Sequence, residues 1–175
     1  MGQTSYSIAP KAGFRGLPYD MSPSRKRTAR VNAGSARPFG TFVKVGGAAN
    51  AAEGDVTVLA DANSVVAGVL HHTHDIRQDP STPALVAGAD VPDLSIVPLM
   101  EAGKIYVMIE EDVVEGDPVY TRHTANGAGK LVIGACRNDD DGAKALLVKG
   151  AKFCGAGTLA NGFAPISFDA LAAAV

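Results

Sequence analysis

The chain from Phe39 onward alternates between apolar and polar residues in short runs, with turn-forming residues between the runs. The clearest run spans residues 104–110, where Ile105, Val107 and Ile109 fall on one face and longer or charged side chains fall on the other. Alternation with a period of two is typical of a half-buried strand, and β-branched residues pack well on a pleated surface. The pattern therefore predicts a strand whose core-facing residues are Ile105, Val107 and Ile109.

The same texture predicts further strands at residues 41–45, 55–60, 64–70, 95–100, 119–121, 130–134, 145–150, 152–155 and 163–168. A turn at residues 101–103 is expected to separate two of them, and Asn126-Gly127 predicts a hairpin between residues 119–121 and 130–134. Three prolines within residues 71–93 exclude a regular helix there and predict a long loop. About ten short strands divided by turns predict an all-β fold, a small β-barrel or β-sandwich.

Residues 1–38 have a different character, with few periodic apolar positions and many serine, glycine, proline and basic residues. Up to Gly40, seven basic residues accompany one acid, Asp20, so this stretch carries +6 and the remainder carries −8 of a net charge of −2. Such a segment cannot offset its ordering entropy with a core of its own. We therefore predict an extended basic N-terminal arm over residues 1–38 and a β-barrel or sandwich domain over residues 39–175. The arm is either a disordered tail or ordered against an acidic surface of another molecule.

Three histidines, His71, His72 and His74, stand beside Asp75 and offer nitrogen and oxygen ligands for zinc or copper. A cupin-like metal site also needs a glutamate a few residues later and a distant histidine. The four residues after Asp75 contain no glutamate, and His123 is the only other histidine. The pattern favours a solvated strand end, and we predict no metal and no cofactor.

The acidic clusters also lack the features of reactive sites. Residues 139–142 read Asp-Asp-Asp-Gly, but the alternating ligands and closing glutamate of an EF-hand calcium loop are missing. Glu110, Glu111 and Asp112 could pair for acid–base chemistry, yet their place at a strand end predicts a solvated rim. No nucleophile elbow, phosphate-binding loop or cysteine with an adjacent histidine is present. The sequence therefore predicts a protein that is not an enzyme.

The remaining features limit the partners. No apolar run approaches the roughly 20 residues that a membrane span needs. The chain does not start with the pattern of a signal peptide, so Cys136 and Cys154 are expected as buried thiols, with a disulfide as the alternative. The basic run at residues 25–30 would suit phosphates, but an acidic body and the lack of an aromatic platform favour protein carboxylates over nucleic acid.

Residues 97–107 and 113–120, together with Asn126-Gly127, resemble the core of phage structural cement proteins. The resemblance also takes in residues 64–70, 152–157 and 166–168, so it spans most of residues 39–168. It rests on patterns of strand and turn, and it transfers no catalytic signature.

The resemblance implies a bacteriophage decoration protein on the outer surface of the icosahedral head, where it bridges neighbouring major capsid subunits. We expect copies to assemble as dimers or trimers. Aromatic and arginine side chains dominate interface energies, so the arm is predicted to bind the capsid through eight residues: Tyr6, Phe14, Arg15, Tyr19, Arg25, Lys26, Arg27 and Arg30. The sequence leaves open a head fibre base, a tail component, a cupin-like metal-binding protein and a carbohydrate-binding module.

Overall fold

The computed structural model describes residues 15–46, 54–72, 90–127 and 129–169, and the regular structure of these residues consists of strands alone. The predictions that fall on Tyr6, Phe14 and His74 lie outside the described residues. The strands are β1 (Arg25–Val31), β2 (Arg37–Pro38), β3 (Phe42–Val45), β4 (Asp55–Thr57), β5 (Val66–Leu70), β6 (Asp90–Val91), β7 (Ile96–Met108), β8 (Pro118–Arg122), β9 (Cys136–Arg137), β10 (Ala145–Phe153) and β11 (Phe163–Phe168). The all-β prediction is confirmed.

Five strands close into a barrel because the first strand of the main sheet also pairs with the fifth. The main sheet has nine strands in the order β1-β4-β3-β5-β7-β11-β10-β8-β9, and β1 pairs with β7 in addition. Arg30 of β1 lies opposite Asp55 of the parallel strand β4 and opposite Ile96 of the antiparallel strand β7. The barrel is therefore formed by β1, β4, β3, β5 and the first half of β7.

While β2 and β6 pair in a separate two-stranded sheet, the rest of the main sheet, here named the C-terminal sheet, lies on the far half of β7. It continues through β11, β10, β8 and β9. Ile109, just beyond β7, forms a parallel bridge with Cys136 of β9, and the N–H of Glu110 donates to the carbonyl of Cys136 at 3.1 Å. The C-terminal sheet thus curls back to the strand from which it starts.

Two apolar clusters correspond to these two parts. One cluster is built from barrel residues, including Val31, Val43 and Val97. The other combines barrel residues such as Phe42 and Met100 with residues of the C-terminal sheet. The predicted core face of β7 belongs to this second cluster and is buried, which confirms that prediction: Ile105, Val107 and Ile109.

β7 is a single strand of 13 residues, so the turn predicted at residues 101–103 is wrong. The first half of the strand pairs with β1 and β5, and the second half pairs with β11. Hydrogen bonding on both sides outweighs the weak turn propensity of a Glu-Ala-Gly sequence. Gly103 serves close packing instead, because a Cβ atom at this position (φ +123°) would lie 2.8 Å from the Cβ atom of Ser24.

The folded domain begins before Phe39, because residues Arg25–Val31 form β1. Ala29 and Val31 are buried in the barrel core. The prediction of an extended arm over residues 1–38, outside the domain, is therefore wrong for β1. Its apolar residues are too few, and too closely mixed with cations, to produce a recognisable alternating run.

Two strand predictions in the second half of the chain need correction. Asn126 forms an antiparallel bridge with Lys130, but residues 130–134 form no strand, and β8 pairs with β9 and β10 instead. The strands predicted at residues 145–150 and 152–155 are one strand, β10. A register shift between Leu147 and Lys152 lets β10 pass the exposed Gly150 without ending.

We expect deletion of residues 1–38 to abolish cooperative unfolding of the barrel, because the deletion removes β1 and leaves β4 and β7 without their shared neighbour. Circular dichroism during heating measures the transition. A chain that begins at Arg15 keeps every described strand and is the control, expected to melt close to the full-length protein. A cooperative transition at the full-length temperature after deletion of residues 1–38 would contradict the barrel closure.

Gly68→Ala should reduce the free energy of unfolding by about 1–3 kcal/mol, the usual cost of overpacking. A Cβ atom on Gly68 would lie 2.5 Å from the carbonyl oxygen of Met100 and 2.8 Å from Cγ of Leu99. Gly127→Ala is the matched control, because a Cβ atom there meets nothing within 4 Å. Urea denaturation of both variants measures the difference, and equal stabilities would show that β5 and β7 are not packed this closely.

Candidate functional site

Residues 15–31, here named the basic ridge, lie antiparallel along β7. The N–H of Gly16 donates to the carbonyl of Tyr106 at 2.7 Å, and the N–H of Tyr19 donates to the carbonyl of Lys104 at 3.0 Å. β1 then continues the pairing as far as Ile96. This part of the predicted arm is therefore ordered by the protein's own strand.

Three arginines of the basic ridge pair with carboxylates of the same molecule. Arg25 and Arg27 both contact Glu101, at 2.9 Å and 2.6 Å. Arg30 donates two hydrogen bonds to the buried Asp55, at 2.9 Å and 2.7 Å. These guanidinium groups are less available to an external acidic surface than the charge of the segment suggested.

Tyr19, Met21 and Lys26 extend from the basic ridge towards solvent. The ring of Tyr19 packs edge-on against Tyr106, with ring centroids 5.3 Å apart, and the side chain of Met21 is fully exposed. No ion pair among the described residues involves the exposed Lys26. Of the other predicted contact residues, Arg15 places a guanidinium nitrogen 3.3 Å from the sulfur of Met108.

Asp20 fixes the turn that presents Met21. Its carboxylate accepts a hydrogen bond from the N–H of Ser22 and another from the Lys104 ammonium group, both at 2.9 Å. These interactions, led by Ser22, lower the pKa of Asp20 to about 2. Sequence reasoning missed Met21, although a methionine between Asp20 and the Ser-Pro pair at residues 22–23 indicates an apolar side chain in a turn.

The barrel opens at one end into a groove of about 160 Å³, here named the barrel mouth. Val45, the last residue of β3, and Val65, which directly precedes β5, line it and remain 54% and 37% exposed. Arg25, Arg27 and Glu101 form its charged side. The residues that line this groove come from segments that are far apart in the sequence and meet only in the folded barrel. The sequence alone therefore gave no indication of the groove.

A buried ion network occupies the end of β7. Arg122 has no exposed surface and donates to Glu110 and to Asp141, with shortest distances of 2.6 Å to each. Arg137 contacts Glu110 at 3.1 Å and Asp141 at 3.2 Å. The prediction that the carboxylates after β7 form a solvated rim is wrong for Glu110, since the paired arginines allow its burial.

The network changes the properties of the aspartate turn at residues 139–142. Hydrogen bonds from the Asn126 amide and from Arg122 lower the pKa of Asp141 to about 2. Asp141 itself has a positive φ of 47°. The turn therefore ties a loop to the strands, and its carboxylate is occupied by cations of the protein.

The histidine pair at the end of β5 does not form a metal centre with other described residues. Both ring nitrogens of His71 are buried without a hydrogen-bond partner, and burial lowers its pKa to about 4. The ring of His72 packs against Phe39 with centroids 4.7 Å apart. Within the described ranges, no group of three or more His, Cys, Asp or Glu side chains is placed to hold a metal ion.

The two cysteines are separate thiols, with Cys136 buried and Cys154 half-buried. Burial raises the pKa of Cys136 well above its ordinary value and raises that of Cys154 as well. Since the thiolate is the reactive form, neither residue is suited to nucleophilic chemistry. In the described parts of the chain, no helix has the length and hydropathy of a membrane span.

The fold and the site define a class: an all-β protein made of a barrel and an attached sheet, in which buried carboxylates pair with arginines of the same chain. The chain belongs to the phage structural cement proteins, because the family described as structural cement protein (E217 gp24/Pam3 gp6) matches residues 2–169. This confirms the resemblance inferred from the strand and turn patterns. No curated protein matches the sequence.

A solved structure supports the fold independently. A chain in the capsid of Myoviridae phage XM1 superposes with a TM-score of 0.65 at 16% sequence identity. The match covers 97% of this chain and 100% of that chain. At this identity the likeness shows a shared fold.

Asp141→Asn should lower the melting temperature by a few degrees at pH 7 and have little effect at pH 2. The folded-state pKa of Asp141 is about 2, below its ordinary 3.8. Its stabilising contribution is therefore present above about pH 4 and disappears as the pH falls towards 2. Thermal melts across this range measure the effect.

Asp169→Asn is the control, because Asp169 is exposed and takes part in no ion pair among the described residues. A constant difference between Asp141→Asn and the unsubstituted protein from pH 7 to pH 2 would show that the Asp141 charge does not contribute to stability.

Proposed function

We propose that this protein binds the outer surface of the phage head and stabilises contacts between neighbouring major capsid subunits. The observation that carries the proposal is the family match over residues 2–169, which includes the basic ridge as well as both sheets. The role is mechanical and needs no catalytic group. The deeply buried, ion-paired framework suits it, since a rigid body transmits load between the subunits that it touches.

The basic ridge supports the proposal, but the residues that are free to contact a capsid differ from those expected from its charge. Tyr19, Met21 and Lys26 are held on a backbone that β7 already orders, so binding through them costs little conformational entropy. Arg25, Arg27 and Arg30 contribute less than their charge suggests, because internal carboxylates hold them. Arg15 adjoins the same surface, and Tyr6 and Phe14 complete the proposed capsid contact from the preceding segment.

Each contact between the protein and the capsid can be weak, because many bound copies together stabilise the shell. A site that touches two capsid subunits gains effective concentration for the second contact once the first has formed. Binding to the assembled shell and not to separated subunits stabilises the shell by mass action. We infer that copies act as a dimer or trimer, which multiplies the number of bridged subunits.

Co-sedimentation with expanded, undecorated shells tests the proposal. We expect saturable binding and a higher temperature of shell disruption. Combined Tyr19→Ala and Lys26→Glu substitutions should reduce the affinity by roughly tenfold, a cost of about 1.4 kcal/mol. Lys149→Glu is the charge-matched control, because Lys149 is an exposed residue of β10 in the C-terminal sheet.

Two results would contradict different parts of this proposal. Failure of the unsubstituted protein to sediment with the shells rejects capsid binding. Equal binding by the Tyr19/Lys26 variant and the Lys149 control rejects the basic ridge as the contact surface and leaves capsid binding standing.

A further inference from the structure

The barrel mouth has the properties of a receptor for one apolar side chain. Val45 ends β3 and Val65 directly precedes β5, and the N–H of Val45 donates to the carbonyl of Val65 at 3.0 Å. Their exposed surfaces border a groove of about 160 Å³. Cavities of about 150 Å³ accept a benzene-sized group, so this groove has room for an aliphatic side chain.

The charge at the barrel mouth determines which residues of a ligand can lie next to the inserted apolar side chain. Two guanidinium groups face one carboxylate there, which leaves an excess of one positive charge. The side chain of Arg25 is 56% exposed and contacts Glu101 through its Nε atom. A matching ligand is therefore an apolar residue next to an acidic residue.

The chain carries such a ligand in a rigid turn at residues 113–117, here named the Val114 turn. Val114 is 60% exposed. Its N–H donates to the Asp117 carboxylate at 3.0 Å, and the N–H of Gly116 donates to the carbonyl of Phe153 at 2.8 Å. Val113 exchanges two backbone hydrogen bonds with Gly157, at 2.9 Å and 3.0 Å. The turn is preorganised, with its valine directed outward.

The charge of the Val114 turn complements that of the barrel mouth. Asp112 and Glu115 flank Val114, and both are exposed. Glu115 takes part in no ion pair among the described residues. The Val114 turn therefore has the two features expected of a ligand for the barrel mouth, namely an exposed apolar side chain and an adjacent carboxylate.

We propose that the Val114 turn of one copy inserts into the barrel mouth of a second copy, where Glu115 pairs with Arg25. The two surfaces belong to different parts of the molecule. Glu101 lies in the half of β7 that forms the barrel, whereas the Val114 turn packs beside the C-terminal sheet, where the N–H of Gly116 donates to the carbonyl of Phe153. The contact therefore joins separate copies head to tail.

A head-to-tail contact is heterologous, so it produces a closed ring or an open chain according to the rotation between copies. One turn in one groove buries far less than the roughly 1,200 Å² of a standard stable interface. The contact is accordingly weak in dilute solution and becomes effective where copies are held side by side. This inference does not rest on capsid binding, since it concerns two copies of the same chain.

Disulfide trapping in solution tests the proposal with three single substitutions, each in a Cys154→Ser background: Val65→Cys, Val114→Cys and Lys149→Cys. An equimolar mixture of the first two, treated with diamide, should yield at least fivefold more cross-linked dimer than a mixture of Val65→Cys and Lys149→Cys. Non-reducing gels measure the yield, and circular dichroism confirms that each variant is folded.

Charge reversal separates the specific contact from random collision. Arg25→Glu in the Val65→Cys copy should reduce trapping to the level of the Lys149 control, and Glu115→Arg in the Val114→Cys copy should restore it. Equal trapping of Val65→Cys with Val114→Cys and with Lys149→Cys overturns the proposal. Trapping that ignores the charge reversal overturns the pairing of Glu115 with Arg25.

Discussion

The structure depends on β7 being hydrogen-bonded on both sides along most of its length. β1 and β5 flank its first half, while β11 and the start of the basic ridge flank the second. Because one uninterrupted strand is shared, the barrel and the C-terminal sheet cannot rotate independently about it. Closure also leaves the barrel without a free edge that could pair with other chains. The surface that the barrel presents to other molecules therefore consists of side chains and turns.

The buried ion network extends this rigidity to the far end of β7. Burying ion pairs is often no more favourable than packing apolar residues of similar size. In this protein the ion pairs hold two segments in a fixed relative position. Arg122 and Arg137 connect Glu110 at the strand end with Asp141 in a distant loop. An arginine with two acidic partners accepts fewer arrangements than an apolar side chain would. The network consequently fixes loops that the apolar core does not reach.

Sequence patterns predicted those parts of the fold whose cause is local. The alternating face of Ile105, Val107 and Ile109 follows from the pleat of one strand, and the family resemblance follows from repeated strand and turn patterns. The continuity of β7 could not be predicted, because its turn-like residues 101–103 become strand through pairing with distant segments. The same reason explains why β1 was not predicted. Its two core residues, Ala29 and Val31, become buried only when the barrel closes around them.

The candidate sites also depend on contacts between distant parts of the chain, which sequence patterns do not predict. The charge of the N-terminal segment was readable, but its distribution between internal and external partners depends on Glu101 and Asp55, which follow far along the chain. For residues 15–31, the predicted arm is replaced by a surface that the protein's own strands hold in place. An arm would lose conformational freedom at each site it bound, whereas a surface ordered during folding does not. For the proposed binding to many equivalent positions, this difference favours the rigid surface.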